Sequence, residues 1–122
     1  MAELKTTISS LEAKKLNQST IKNLKLAILH TVPNPKFPHK SISQKELCEK
    51  AGCGSNVISA FIIGRNNITL INLLSVCRAL DLDPSCIITN RELTTTQIEF
   101  QKSLNNLDDI KLRKIISLID EL

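Results

Sequence analysis

Two short apolar helical segments parted by a glycine turn constrain this chain more than anything else in it. They lie in SQKELCEKAGCGSNVISAFIIGRNN, from Ser43 to Asn67. Ser43 is a good N-cap, and Glu46 at the third helical position predicts a capping box. Leu47, Cys48 and Ala51 form the inward side of that helix, and Gly52 stands where a helix ends in the left-handed conformation. The next helix starts near Gly54 or Ser55. Val57, Ile58, Phe61 and Ile62 are its apolar members, and Gly64 stops it. Such a pair is either an ordinary αα-hairpin or the arrangement that sets a helix in the major groove of DNA.

The helical period continues on both sides. Before the pair, a helix is expected from about Ser10 to His30, with Ile21, Leu24, Ala27 and Ile28 as its stripe. VPNPKFPHKS then follows, where Pro33, Pro35 and Pro38 forbid a continuous helix and force extended backbone. After the pair, a helix is expected from about Thr69 to Leu80, with Leu70, Leu73, Leu74, Cys77 and Leu80 on one face. Pro84 opens a single helical turn. Two tail helices complete the chain, one over Gln97 to Asn106 and one from Asp108. The last carries Leu112, Ile115, Ile119 and Leu122 at 3-4-3 spacing. The expected fold class is all-α. Residues 1–90 form the main domain, with its long N-terminal helix and proline-rich 33–40 loop, and residues 91–122 form a helical extension able to dimerise.

Composition narrows the function. The 122 residues are 42% hydrophobic, enough for a core, and only 2% aromatic, with no Trp or Tyr. Single-strand binders that stack bases on aromatic rings are thereby disfavoured. The net charge is +4, which is compatible with nucleic acid. It is uneven: residues 1–40 carry +5, residues 41–70 carry +1 and the remainder −2. No apolar leader stands at the N-terminus and no apolar run is long enough to span a bilayer, which points to the cytoplasm and to no membrane partner.

No catalytic centre is nominated. The chain has no glycine-rich phosphate loop, no HExxH and no GxSxG. Asp81 and Asp83 beside Pro84 read as turn residues, and His39 as a solvated side chain. The four cysteines (48, 53, 77 and 86) include no Cys-x-x-Cys pair, and His30 and His39 are not at ligand spacing. Reduced thiols, two of them inside apolar helical faces, are expected rather than a metal site, and no cofactor is implied.

Residues Ile42 to Ile88 resemble the helix-turn-helix domain of the lambda-repressor/Cro family, also called the XRE family. The resemblance rests on Ser43-Gln44 opening the second helix, Leu47 with the small Cys48, and Gly52 at the turn. It continues through Gly54-Ser55-Asn56, inward Ile58 and Phe61, Gly64, and then Leu70, Leu73, Leu74 and Ala79-Leu80. About 47 residues are covered well, the first helix loosely, and the last 30 or so not at all. It implies a lambda-repressor-like bundle with additional C-terminal helices.

What the resemblance implies for function is a non-enzymatic, sequence-specific regulator of double-stranded DNA. A bacterial or phage repressor, acting as a homodimer on an operator, is the first expectation. The alternatives are a protein-interaction module that kept the fold, with a partner on the C-terminal helices, and an antitoxin-type regulator. Asn56 and Ser59 are the expected base readers, since Asn pairs bidentately with adenine. Ser55 is either a further contact or an N-cap. Gln44 matches the position that grips a phosphate, and Arg65, Asn66 and Asn67 match the loop that touches backbone or a base edge. Lys40, with Lys36 and His39, lies in a loop longer than the family's usual turn and reaches a phosphate or serves as spacer. The recognition face lacks an Arg or Lys to read guanine. Ile62 and Ile63 stand where relatives are polar.

Overall fold

The computed structural model describes residues 2–31 and 42–122, and within the first helix the side chains from 10 to 30. The proline-rich loop, with Lys36, His39 and Lys40, lies outside the described residues. Among the described residues seven helices follow one another: α1 (Ala2–Thr31), α2 (Gln44–Ala51), α3 (Val57–Ile62), α4 (Leu70–Ala79), α5 (Pro84–Ile87), α6 (Thr95–Asn105) and α7 (Asp109–Asp120). The all-α expectation holds, with no strand among the described residues.

The helix α1 starts at Ala2 rather than near Ser10. Glu3, Leu4 and Lys5 are good helix formers and no breaker stands before Pro33. Among the described side chains the buried stripe begins only at Thr20, so periodicity alone does not mark the start of the helix. From Thr20 onward α1 lays Asn23, Leu24, Ala27, Ile28 and His30 into the interior.

One core joins α1 to α2–α6. It contains Leu24 and Ile28 of α1, Leu47 and Cys48 of α2, and Ile58 and Phe61 of α3. Leu73, Val76 and Cys77 of α4, Ile87 of α5 and Ile98 of α6 complete it. Lys25 sends its ammonium to 5.7 Å from the Phe61 ring centre, within cation–π range. The helix α4 packs on α2 and α5, and its burial is concentrated toward its C-terminal end. Leu70 and Leu74 are therefore exposed, contrary to the expectation that they share one inward face with Leu73, Cys77 and Leu80, while Val76 and Ala79 are buried.

A buried polar clamp ties α1 to the segment after α5. Asn23 is 1% exposed. Its amide nitrogen donates to the carbonyls of Ile87 (3.1 Å) and Arg91 (2.9 Å), and its carbonyl accepts from the Leu93 N–H (2.8 Å). At the surface Ser19 donates to the Asn90 carbonyl and Lys22 pairs with Glu92. His30 Nε2 lies 2.9 Å from a Glu99 carboxylate oxygen, tying α1 to α6.

Three helices end in the same way. Cys53 N–H donates to the Cys48 carbonyl and Gly52 N–H to that of Glu49. Arg65 and Gly64 repeat the pattern on Ala60 and Phe61, as do Leu82 and Asp81 on Cys77 and Arg78. These are Schellman motifs, each needing one left-handed residue. Gly52 (φ 71°) and Gly64 (φ 79°) supply two, and the third is Asp81 (φ 59°).

The tail helices differ from each other. The helix α6 opens with a complete capping box between Thr94 and Gln97 and packs against α1. No residue of α7 is buried, and Ile116, Leu118, Ile119 and Leu122 are exposed.

Candidate nucleic-acid interface

The site is built on α2, the turn after it, α3 and the loop into α4. Ser43 caps α2 by accepting from the Glu46 N–H at 3.1 Å. Its hydroxyl also lies 3.5 Å from the Glu46 carboxylate, so the cap pair forms with a side-chain contact. Gly52 then reverses the chain. Cys48, 3% exposed, directs its thiol to the Ser55 carbonyl at 3.7 Å, where a larger side chain would push the turn away from α2.

The helix α3 begins later than the sequence suggests. Its first helical residue is Val57, with Asn56 at the cap position in helical backbone and making no side-chain cap. Ser55 lies in the preceding turn rather than serving as the N-cap. Ile58 and Phe61 point into the core, which turns the opposite side of α3 outward. Gly64 ends the helix and directs residues 65–69 back across that outward side. Thr69 caps α4 by accepting from the Asn72 N–H at 3.2 Å.

These elements enclose a concavity of about 510 Å³. Asn56, Ser59, Arg65, Asn66 and Asn67 line it together, with Thr69, Asn72 and the apolar Val57, Ala60 and Ile63. Five residues from two separate stretches of sequence thus share one surface. Gln44 and Ser55 do not line it, and Lys40 lies outside the described residues. Asn56, Arg65, Asn66 and Asn67 are exposed, whereas Ser59 and Gln44 are half-buried rather than exposed as expected. The Ser59 hydroxyl donates to the Asn56 carbonyl at 3.3 Å.

Thr69 and Asn72 were not marked by sequence reasoning. The legible signal was the cap pattern at the start of α4, which places free N–H groups and short polar side chains at one point. Arg65 carries the one charge among the described residues lining the concavity, and no carboxylate lines it. Such a surface offers amide and hydroxyl groups to base edges and a single cation to a phosphate.

None of the thiols lines this surface. Cys48 and Cys77 are buried, Cys53 and Cys86 are half-buried, and all four are free. Burial first, then the neighbouring Cys48 thiol, raises the Cys53 pKa. Among the described residues no cluster of three or more His, Cys, Asp or Glu is placed to hold a metal ion. No described helix is long and apolar enough to cross a membrane.

A family model for the Cro/C1-type HTH DNA-binding domain matches residues 38–89. That span contains α2 to α5 and every residue lining the concavity. No curated protein and no solved structure matches the chain.

Proposed function

From the match of residues 38–89 to the Cro/C1-type HTH DNA-binding domain, we infer a sequence-specific transcriptional repressor, bacterial or phage in origin, that binds duplex DNA as a dimer. The observation that carries this reading is the shared concavity of Asn56, Ser59, Arg65, Asn66 and Asn67. Asn56 and Ser59 read base edges from α3. Arg65, Asn66 and Asn67 hold the backbone or the edge of a flanking base. Gln44, in the first turn of α2, and Ser55, in the turn, sit beside this surface and fix the docking on phosphates, with Lys40 adding charge from the preceding loop. Repression would follow from occlusion of a promoter.

The dimer is assigned to α7. A helix with Leu112, Ile115, Ile116, Ile119 and Leu122 on one side and nothing buried in the single chain gains by pairing that side with its copy. The extension of residues 91–122 would then divide its labour: α6 completes the core through Ile98 and α7 makes the contact. The same exposed stripe favours a second reading, in which α7 takes a different protein as partner. Either way the chain acts by binding and carries no chemistry of its own.

The test is selection of bound duplexes from a random pool, followed by titration of the selected and a scrambled duplex over a salt series. Specific binding whose log K falls with log salt at a slope of about −0.9 per phosphate neutralised supports the reading. No preference for any duplex refutes it. Sedimentation of the full chain and of a chain ending at Asn106 addresses α7. A dimer that becomes a folded monomer on truncation assigns the interface, and a monomeric full chain at tens of micromolar removes the dimer.

A further inference from the structure

The outward side of α3 carries two neighbouring ridges at i, i+3 spacing. One is polar, Asn56 and Ser59. The other is apolar, Val57, Ala60 and Ile63. Both line the concavity. Ile63 is 66% exposed, an apolar side chain held out beside amides and a hydroxyl with no protein group to cover it.

The major-groove edges of the bases decide what such a pair of ridges suits. Adenine shows an acceptor and a donor side by side, which an amide matches in both senses. Thymine shows one acceptor and a methyl group, which an apolar side chain covers. Guanine shows two acceptors and calls for Arg or Lys, and cytosine shows a donor that Asp or Glu takes. The helix α3 reads VISAFI and has no charged residue. No carboxylate lines the concavity, and its single cation, Arg65, follows Gly64, whose left-handed backbone carries the chain off the helix.

We propose that this face reads A·T base pairs, with the apolar ridge set against thymine methyl groups, so that the protein distinguishes thymine from uracil in otherwise identical duplexes. The proposal rests on the DNA-binding reading above and adds the class of DNA that α3 recognises. Ile63 is its specificity-determining residue. The polar ridge supplies direction and the apolar ridge rejects a base pair that lacks the methyl.

The experiment starts from the selected duplexes. Their half-site is expected to be A·T-rich where α3 docks. Deoxyuridine then replaces thymidine one position at a time, and each duplex is titrated with the wild-type protein and with Ile63→Ala. Since a buried methylene-sized group contributes about 0.8 kcal/mol, at least one replacement should weaken wild-type binding about four-fold. That loss should shrink toward one-fold in Ile63→Ala, whose exposed side chain makes the variant safe for folding. Guanine-rich selected sites, or equal affinity for thymidine and deoxyuridine at every position, overturn the proposal while leaving DNA binding intact. A loss of equal size in wild type and Ile63→Ala overturns the role of Ile63. Failure of any duplex to bind removes the underlying function and the proposal with it.

Discussion

Replacing Asn23 tests how the domain is held together. Its side chain is 1% exposed and makes three hydrogen bonds of 2.8–3.1 Å. Asn23→Ala strands three main-chain groups, but not equally. The Ile87 carbonyl keeps the Thr89 N–H at 3.0 Å. Arg91 is exposed, so water reaches its carbonyl more readily. The Leu93 N–H has one hydrogen to give and loses its acceptor. With about 1–3 kcal/mol for each buried group left unsatisfied, the sum is about 3 kcal/mol once the solvated carbonyl is discounted. Asn23→Asp should cost more at neutral pH, because a carboxylate would face two carbonyl oxygens out of water. Its folded pKa would be raised above the unfolded value of about 3.9. The deficit is therefore smallest below that value and grows as pH rises through the folded pKa. The chain has no Trp or Tyr, so urea unfolding is best followed by far-ultraviolet circular dichroism at pH 4 and pH 7. An Asn23→Ala protein within about 1 kcal/mol of wild type would refute the clamp. So would an Asn23→Asp protein as stable as wild type at pH 7.

Other expectations follow from the helix ends, the thiols and the reading face. Asp81 holds the left-handed position of the third Schellman motif (φ 59°); Asp81→Gly relieves that backbone but adds unfolded-state freedom, for a net gain of about 0.5 kcal/mol. Asp81→Val should lose more than 1 kcal/mol by the same argument, and thermal melts of both give the sign. Burial, helped by the charges of Asp83 and Cys86, pushes the Cys77 thiol up to about 11 from an ordinary 9.0. The fold is thus favoured below pH 9 and loses that contribution as pH rises toward 11; urea midpoints across that range should fall more steeply for wild type than for Cys77→Ala. Asn56→Ala should leave the melting temperature nearly unchanged and weaken the selected operator by about 1–3 kcal/mol, with much less effect on scrambled DNA.

The parts of this molecule readable in sequence are those fixed by local backbone chemistry. Ser43, Gly52 and Gly64 set the ends of α2 and α3 because caps and left-handed positions act within a few residues. The face of α1 from Leu24 to Ile28 was legible because it packs on one continuous core. Leu70 and Leu74 misled because apolar residues at helical spacing mark a possible stripe, and only the crossing with α2 and α5 decides which turns are covered. Asn23 was invisible for a related reason. A polar residue on a buried face reads as an exception until its three partners, 64 to 70 residues later, are in place. At the candidate site, Asn56 and Ser59 followed from the turn and the resemblance. For Thr69 and Asn72 the cap pattern marks the start of α4, but their place in the concavity required the loop after Gly64 to fold back, which no local signal specifies.

The length of α1 has a kinetic consequence. At 30 residues it extends about 45 Å, yet among its described side chains the first buried one is Thr20, and from Ser10 to Gln18 only Leu16 is even half-covered. A helical stretch shorter than about 12–15 residues without packing is marginal in water. One continuous helix therefore belongs to two cooperative units. Amides from Ser10 to Gln18 should exchange with deuterated solvent through local fraying, at rates indifferent to urea. Those around Leu24 and Ile28 should exchange only when the whole domain opens, and the step between the two regimes should fall within the two turns before Thr20.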